Sequence, residues 1–178
     1  MTNTTKDGSI HPDRIRATLG YNDLTGKLFW KAMVSRSCPV GKEAFRSIDR
    51  HGYRKGQLDG RTLRAHRVVW VICHGNWPEG EIDHINGDKL DNRISNLRVA
   101  TRAQNEWNKP PKNKVKGVKF VRSTGMWIAA ITNNKKKRHL GSFETEHEAK
   151  IAYENAAIST RGEFSHYKAE KDAREATA

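Results

Sequence analysis

Asp83-His84-Ile85-Asn86-Gly87-Asp88, then Asn92, then Ser95-Asn96-Leu97, and finally Asn105 form the stretch on which the reading of this chain turns. The segment Glu79 to Asp83 reads as a short strand. Neighbours on a strand point to opposite faces, so Asp83 and His84 share a target only where the chain leaves β geometry. A departure is therefore expected at that point, and the Asn86-Gly87 pair just after it is a strong turn signal. The polar loop runs from Ile85 to about Arg98, and Asn96 is placed to tie it down through side-chain bonds to the backbone. A helix follows from Thr101, whose spacing to Gln104 is that of a capping box, and runs to about Asn108.

Upstream, Pro12 to Leu19 suits a short helix, and Leu24 to Trp30 a turn feeding a strand with Leu28 and Trp30 on one face. Gly52 to Leu63 reads as a second hairpin. Ala65, Val68, Val69, Ile72 and Cys73 fall on one helical stripe that Gly75 stops. His66, beside that stripe, reads as a partly buried structural histidine.

Downstream, Lys109-Pro110-Pro111-Lys112-Asn113-Lys114 reads as a linker, because paired prolines cannot continue a helix. Gly117 to Arg122, Met126 to Thr132 and Arg138 to Phe143 are three strand candidates. Thr145 and Glu148 make a capping box, Ala149, Ala152, Tyr153 and Ala156 an apolar stripe, and Gly162 a stop. Trp127 reads as the core anchor of the sheet, and the residues beyond Tyr167 as a frayed tail. The organisation is then a first domain over 1–108 (hairpin region 20–63, motif core 64–108), a linker over 109–114, a second domain over 115–167 and a charged tail over 168–178.

The formal net charge of +13 over 178 residues opposes compaction unless a polyanion neutralises it, and nucleic acid is the commonest such partner. Cys38 and Cys73 form no CxxC pair, which argues against a thiolate zinc site; they read as buried small hydrophobes in a reducing compartment. Met1 to Ser9 has no apolar signal region, and the longest apolar run, Val68 to Cys73, is too short for a bilayer. A soluble, cytoplasmic protein with no membrane partner is expected.

Phosphodiester hydrolysis needs a hard divalent cation on the scissile phosphate, for which Asp and Asn oxygens suit Mg²⁺ or Mn²⁺. It also needs a neutral imidazole to take the proton of the attacking water. One carboxylate, one histidine and one amide oxygen are a sufficient set. A calcium loop built on Asp83, Asp88 and Asp91 is excluded, since the EF-hand pattern wants Glu where Ile94 stands.

At Asp83-His84, Asn96-Leu97 and Asn105 the sequence resembles the HNH nucleases, particularly their phage and intron-encoded homing members. Ala65-His66-Arg67-Val68-Val69-Trp70 and Pro78-Glu79-Gly80 strengthen the likeness, which covers most of residues 20–108. The resemblance implies an α+β, ββα-metal fold in which Asp83 and Asn105 hold one Mg²⁺ or Mn²⁺ per active site. His84 is then the general base and Asn96 secures the loop. Asn105 stands where the family name has His; Asn is the weaker zinc ligand, which favours the harder cations. Asn108, one turn later, is its rival. The phage members imply an intracellular setting in an infected bacterial host.

Lys116-Gly117-Val118-Lys119-Phe120, Gly125 to Ile131, Leu140 to Thr145, Glu148-Ala149 and Ala152-Tyr153 resemble the plant ethylene-response-factor (Apetala-type) DNA-binding domain over about 115–165. That implies a three-stranded antiparallel sheet whose open face enters the major groove, with one helix behind. Lys116, Lys119 and Arg122 then occupy basic DNA-facing positions. Ala130, Thr132 and His139 stand where that family carries Glu, Arg and Trp, a loss of base-reading groups that leaves phosphate attraction intact. Independently of any family, Lys135-Lys136-Lys137-Arg138 reads as a basic turn suited to phosphate. The expectation is a metal-dependent DNA endonuclease whose partner is double-stranded DNA. A single active site cuts both strands only as a homodimer or by sequential nicking. The other readings are a non-catalytic DNA-binding regulator and an RNA-binding protein.

Overall fold

The structure, a computed structural model, describes residues 9–111, 116–133 and 135–175. The N-terminal eight residues, residues 112–114 of the linker reading and the last three residues of the chain lie outside them. By its internal contacts the chain divides into two compact units, Met1–Arg102 and Ala103–Ala178.

The first unit opens with α1 (Pro12–Thr18), where proline at the first helical position costs no hydrogen bond. Strands β1 (Leu19–Asn22), β2 (Lys27–Trp30) and β3 (Glu43–Ala44) form one antiparallel sheet in that order. Leu28 and Trp30 are both buried, as the alternation requires. β4 (Ser47–Ile48), β5 (Arg54–Leu58) and β6 (Arg61–Arg64) form a second sheet, the hairpin read between Gly52 and Leu63 being β5–β6.

Helix α2 (Ala65–His74) ends at Gly75, which takes the left-handed conformation with φ +88°. Its buried residues are Ala65, His66, Val68, Val69 and Val71, each valine side chain contributing about 1.5–3 kcal/mol by leaving water. Cys73 is exposed and Cys38 half-buried, so neither is the buried small hydrophobe expected from the sequence. The stripe rotates toward Val71 because the helix packs its broad face on Ile15, Leu19 and Leu58 in one continuous core.

β7 (Glu81–His84) and β8 (Leu97–Ala100) pair antiparallel, joined by the polar loop and a 3₁₀ turn at Ile94–Asn96. Here the structure corrects the expected bend. The strand continues through His84, with Asp83 opposite Arg98 and His84 opposite Leu97. The two residues therefore do face opposite ways, and both are buried.

The second unit begins within α3 (Arg102–Asn108) and contains the antiparallel sheet β9 (Val118–Val121), β10 (Met126–Asn133) and β11 (Lys136–Phe143), with β10 central. Helix α4 (Glu146–Arg161) starts at a complete capping box: the Thr145 hydroxyl accepts from the Glu148 amide and the Glu148 carboxylate accepts from Thr145, both at 3.2 Å. Ala149, Tyr153 and Ala157 are its buried stripe against Ala129 and Ile131. Trp127 is only half-buried and packs on the exposed Phe120 at 5.1 Å, so the anchor of this core is Tyr153 rather than Trp127. The expected frayed tail is instead α5 (His166–Glu175). Ion pairs four residues apart (Lys168–Asp172, Lys171–Glu175) and a His166–Glu170 contact of the same spacing line it, and Tyr167 is buried edge-on against Tyr153. A segment poor in apolar residues folds when one aromatic anchor is well placed. Among the described residues no helix is long and apolar enough to cross a membrane.

Candidate active site

The loop after β7 is closed by its own side chains. Asn96 is buried; its Oδ1 accepts from the Asn86 amide at 3.0 Å, and its Nδ2 donates to Asn86 Oδ1 and the Asp91 carbonyl, both at 2.9 Å. Asp88 accepts from the Leu90 amide at 2.9 Å. Asp91 takes the fork of Arg93 at 2.8 and 2.6 Å, and that bond above all holds its carboxyl down at about 2. Asp88 and Asp91 thus shape the turn. Lys89 reaches out of the loop to the His51 carbonyl at 2.9 Å and lies 5.0 Å over the Tyr53 ring, stapling the loop to the hairpin before β5.

On one face of β7, Asp83 is 4% exposed; its Oδ2 accepts from Arg98 Nε at 2.9 Å and forms an ion pair with the same guanidinium, 2.8 Å from Nη2. Register alone places this pair, since the two residues stand opposite each other on β7 and β8. A charge-assisted bond of this kind fixes the orientation of the buried carboxylate.

On the other face, His84 lies among Tyr53 at 5.9 Å between ring centroids, His66 at 5.2 Å edge-on, and Asn92, whose Oδ1 is 3.1 Å from His84 Nε2. Burial lowers the affinity of His84 for a proton, and this outweighs the opposite pull of Asn92 and the nearby carboxylates. The imidazole is accordingly neutral around pH 7. His66 is 4% exposed and pushed down to about 3, first by burial and then by His84 and the arginines beside it. Its Nδ1 is buried with no hydrogen-bond partner among the described residues. The sequence marked His66 as structural and Asn92 as part of the loop, but gave no sign that both touch His84. Tyr53 was missed, because a contact across 31 positions leaves no periodic trace.

Residues 63–107 match the family model for HNH endonucleases. The chain belongs to the HNH endonuclease family. It is similar to Protein 3.8 of Escherichia phage T7, 36% identical over 87 residues that cover 46% of this chain and 72% of that protein. An uncharacterized HNH endonuclease of Acanthamoeba polyphaga mimivirus is 34% identical over 104 residues, 57% of this chain and 55% of its own length. A shorter likeness, 44% over 50 residues, joins 28% of this chain to 12% of APETALA2-like protein 2 of Oryza sativa. No solved structure matches.

Asn105 lies on α3, as does Asn108, which is buried. In the second unit, pairing across the sheet sorts the basic residues. Ala129 and Ile131 are buried toward α4, so Ala130 and Thr132 share the opposite face with their partners His139 and Lys137, and Ile128 with Lys119. Lys119 and Lys137 thus share the open face. Lys136 and Arg138 alternate to the other, because they belong to β11 rather than to a turn; of the expected basic turn only Lys135 is one, with φ +63°. Arg122 is exposed in the β9–β10 turn. Lys116 is half-buried, and burial followed by repulsion from Arg161 of α4 lowers its proton affinity.

Proposed function

We propose that this protein is a metal-dependent endonuclease that hydrolyses DNA phosphodiester bonds, and that its second unit binds duplex DNA. One observation carries the reading: a buried, neutral imidazole, His84, follows a buried, oriented carboxylate, Asp83, on one strand inside the segment matched by the HNH endonuclease model. A neutral imidazole in a dry setting suits a general base working near neutral pH.

Asp83 offers hard carboxylate oxygens. That donor chemistry fits Mg²⁺ or Mn²⁺ held by few protein ligands and keeping several waters. Asp83 and Asn105 are proposed as its ligands on the motif. When bound, the cation would stabilise charge on the scissile phosphate and on the leaving oxygen. His84 takes the proton of the attacking water, Asn96 keeps the loop closed and Arg98 keeps Asp83 aimed. The hairpin β7–β8 followed in sequence by α3 matches the order of a ββα-metal motif, and a homing-type activity is in keeping with the phage likeness.

Lys119 and Lys137 on the open face of the second unit, flanked by Arg122 and Lys135, form the DNA-contacting set. A three-stranded sheet backed by one helix supports an Apetala-type reading of this unit. With Ala130, Thr132 and His139 on the same face, recognition there rests on phosphate more than on bases.

The test is plasmid nicking in Mg²⁺ by wild type and His84→Ala. Cleavage lost in the variant, with DNA binding retained, supports the assignment. Equal cleavage removes His84 as the base. A wild type that binds DNA and never nicks it, in Mg²⁺ or Mn²⁺, points to the non-catalytic regulator instead.

A further inference from the structure

Building on the nuclease reading, we infer that Asn92 is a positioning residue that fixes the tautomer of His84, so that Nε2 carries the hydrogen and Nδ1 is the atom that receives the proton from water. The inference stands on the geometry of one amide. Asn92 is 1% exposed, and its Nδ2 donates to the Leu90 carbonyl at 3.4 Å. That bond orients the amide, because the reverse setting would bring two oxygens together. The atom facing His84 Nε2 at 3.1 Å is therefore Oδ1, an acceptor only. A neutral imidazole has one N–H, and the nitrogen that meets an acceptor must bear it. The basic lone pair is left on Nδ1.

Asn92 is itself held from outside the segment matched by the family model. The Tyr21 hydroxyl on β1 accepts from the Ile94 amide at 2.8 Å and reaches the Asn92 carbonyl at 3.5 Å. Gly26, in the turn between β1 and β2 with φ +69°, lies so close that a methyl group there would come within 2.7 Å of the Arg93 amide nitrogen and 2.9 Å of the Asn92 carbonyl carbon. The N-terminal hairpin thus braces the backbone that carries the orienting amide. His66 and Tyr53 confine the ring of His84 from its other sides, so ring rotation is restricted as well as tautomer. A base whose ring and proton are both set before substrate arrives needs no rearrangement at the moment of transfer.

The experiment is long-range ¹H–¹⁵N spectroscopy on histidine-labelled full-length protein at neutral pH, with the His84 signals identified by their loss in His84→Gln. The expected wild-type pattern is the Nε2–H tautomer. In Asn92→Leu the pattern shifts to a mixture or to Nδ1–H, and nicking falls about 10- to 100-fold in kcat with KM kept. In Asn92→Asp, which keeps an oxygen toward the ring, the Nε2–H pattern is retained. A wild type found as Nδ1–H, which requires no variant to fold, overturns the inference, as does an Asn92→Leu protein with the wild-type pattern. If the tautomer behaves as expected while wild type never nicks DNA, the nuclease reading fails and the positioning role fails with it, whereas the tautomer assignment survives.

Discussion

The surroundings of His84 and the open face of the sheet β9–β10–β11 both depend on charge and polarity, yet they are built in opposite ways. Around His84 almost nothing polar meets water: Asp83, His84, His66, Asn92 and Asn96 are all buried, and each has a position fixed by a partner or a packed ring. On the sheet, Lys119, Lys137 and His139 are exposed. Buried polar groups cost free energy unless they are satisfied, and so they are placed with precision. Exposed lysines cost nothing to leave mobile and act through the summed field. The difference separates a place where atoms must be aimed from a surface that only has to attract.

That contrast can be broken at its strongest point first. Removing the carboxylate with Asp83→Ala, or chelating divalent metal with EDTA, is expected to reduce plasmid nicking by about 10³-fold or more, with restoration by Mg²⁺ in the chelation arm only. Residual cleavage unaffected by EDTA would remove the metal from the proposal. Next, Asn96→Ala deletes the acceptor of the Asn86 amide and both donor bonds of the side chain, leaving buried groups unsatisfied. A loss of about 2–3 kcal/mol is expected in denaturant melts. A change under about 0.5 kcal/mol would mean that the loop closes without it.

Acid provides a third break. His66 has its folded-state value lowered from 6.5 to about 3, so the unfolded chain binds a proton first as the pH falls. Stability is therefore unaffected by this group above about pH 6.5 and declines below it, by at most about 1.4 kcal/mol per pH unit, until about pH 3. His84 is displaced in the same direction and adds to the same limb. Melts at pH 7, 6 and 5 check this, and His66→Phe, which keeps a ring but cannot titrate, should flatten the slope. The smallest effects belong to the sheet. Lys119→Ala and Lys137→Ala should each weaken duplex binding modestly and reduce the slope of log K against log salt by about 0.9. Unchanged slopes in both would place the DNA elsewhere.

Much of the frame is legible where local chemistry decides it. Gly75 stops α2, Thr145 and Glu148 cap α4, and Leu28 with Trp30 declare the buried face of β2. The loop-forming residues Asn86, Gly87 and Asn96 are legible for the same reason, since their bonds span only a few positions. What the sequence hides is set by distance along the chain. Tyr53 and His66 reach His84 through tertiary packing, and the two-residue strands β3 and β4 exist only because longer neighbours supply their partners. Helix α5 was hidden for another reason: among its described residues the buried anchor is Tyr167, which composition cannot distinguish from a solvated tyrosine. The expected bend at Asp83 failed because the two residues do not need one face. One pairs across the ladder with Arg98 and the other enters the aromatic pocket.

That back-to-back arrangement makes strand register a chemical setting as well as an architectural one. Sliding β7 by one position against β8 would thrust a carboxylate among His66 and Tyr53 and turn the imidazole toward a guanidinium, exchanging acid for base in each compartment. A chain that zipped this hairpin wrongly would still possess every reactive group, each of them on the wrong side of the ribbon.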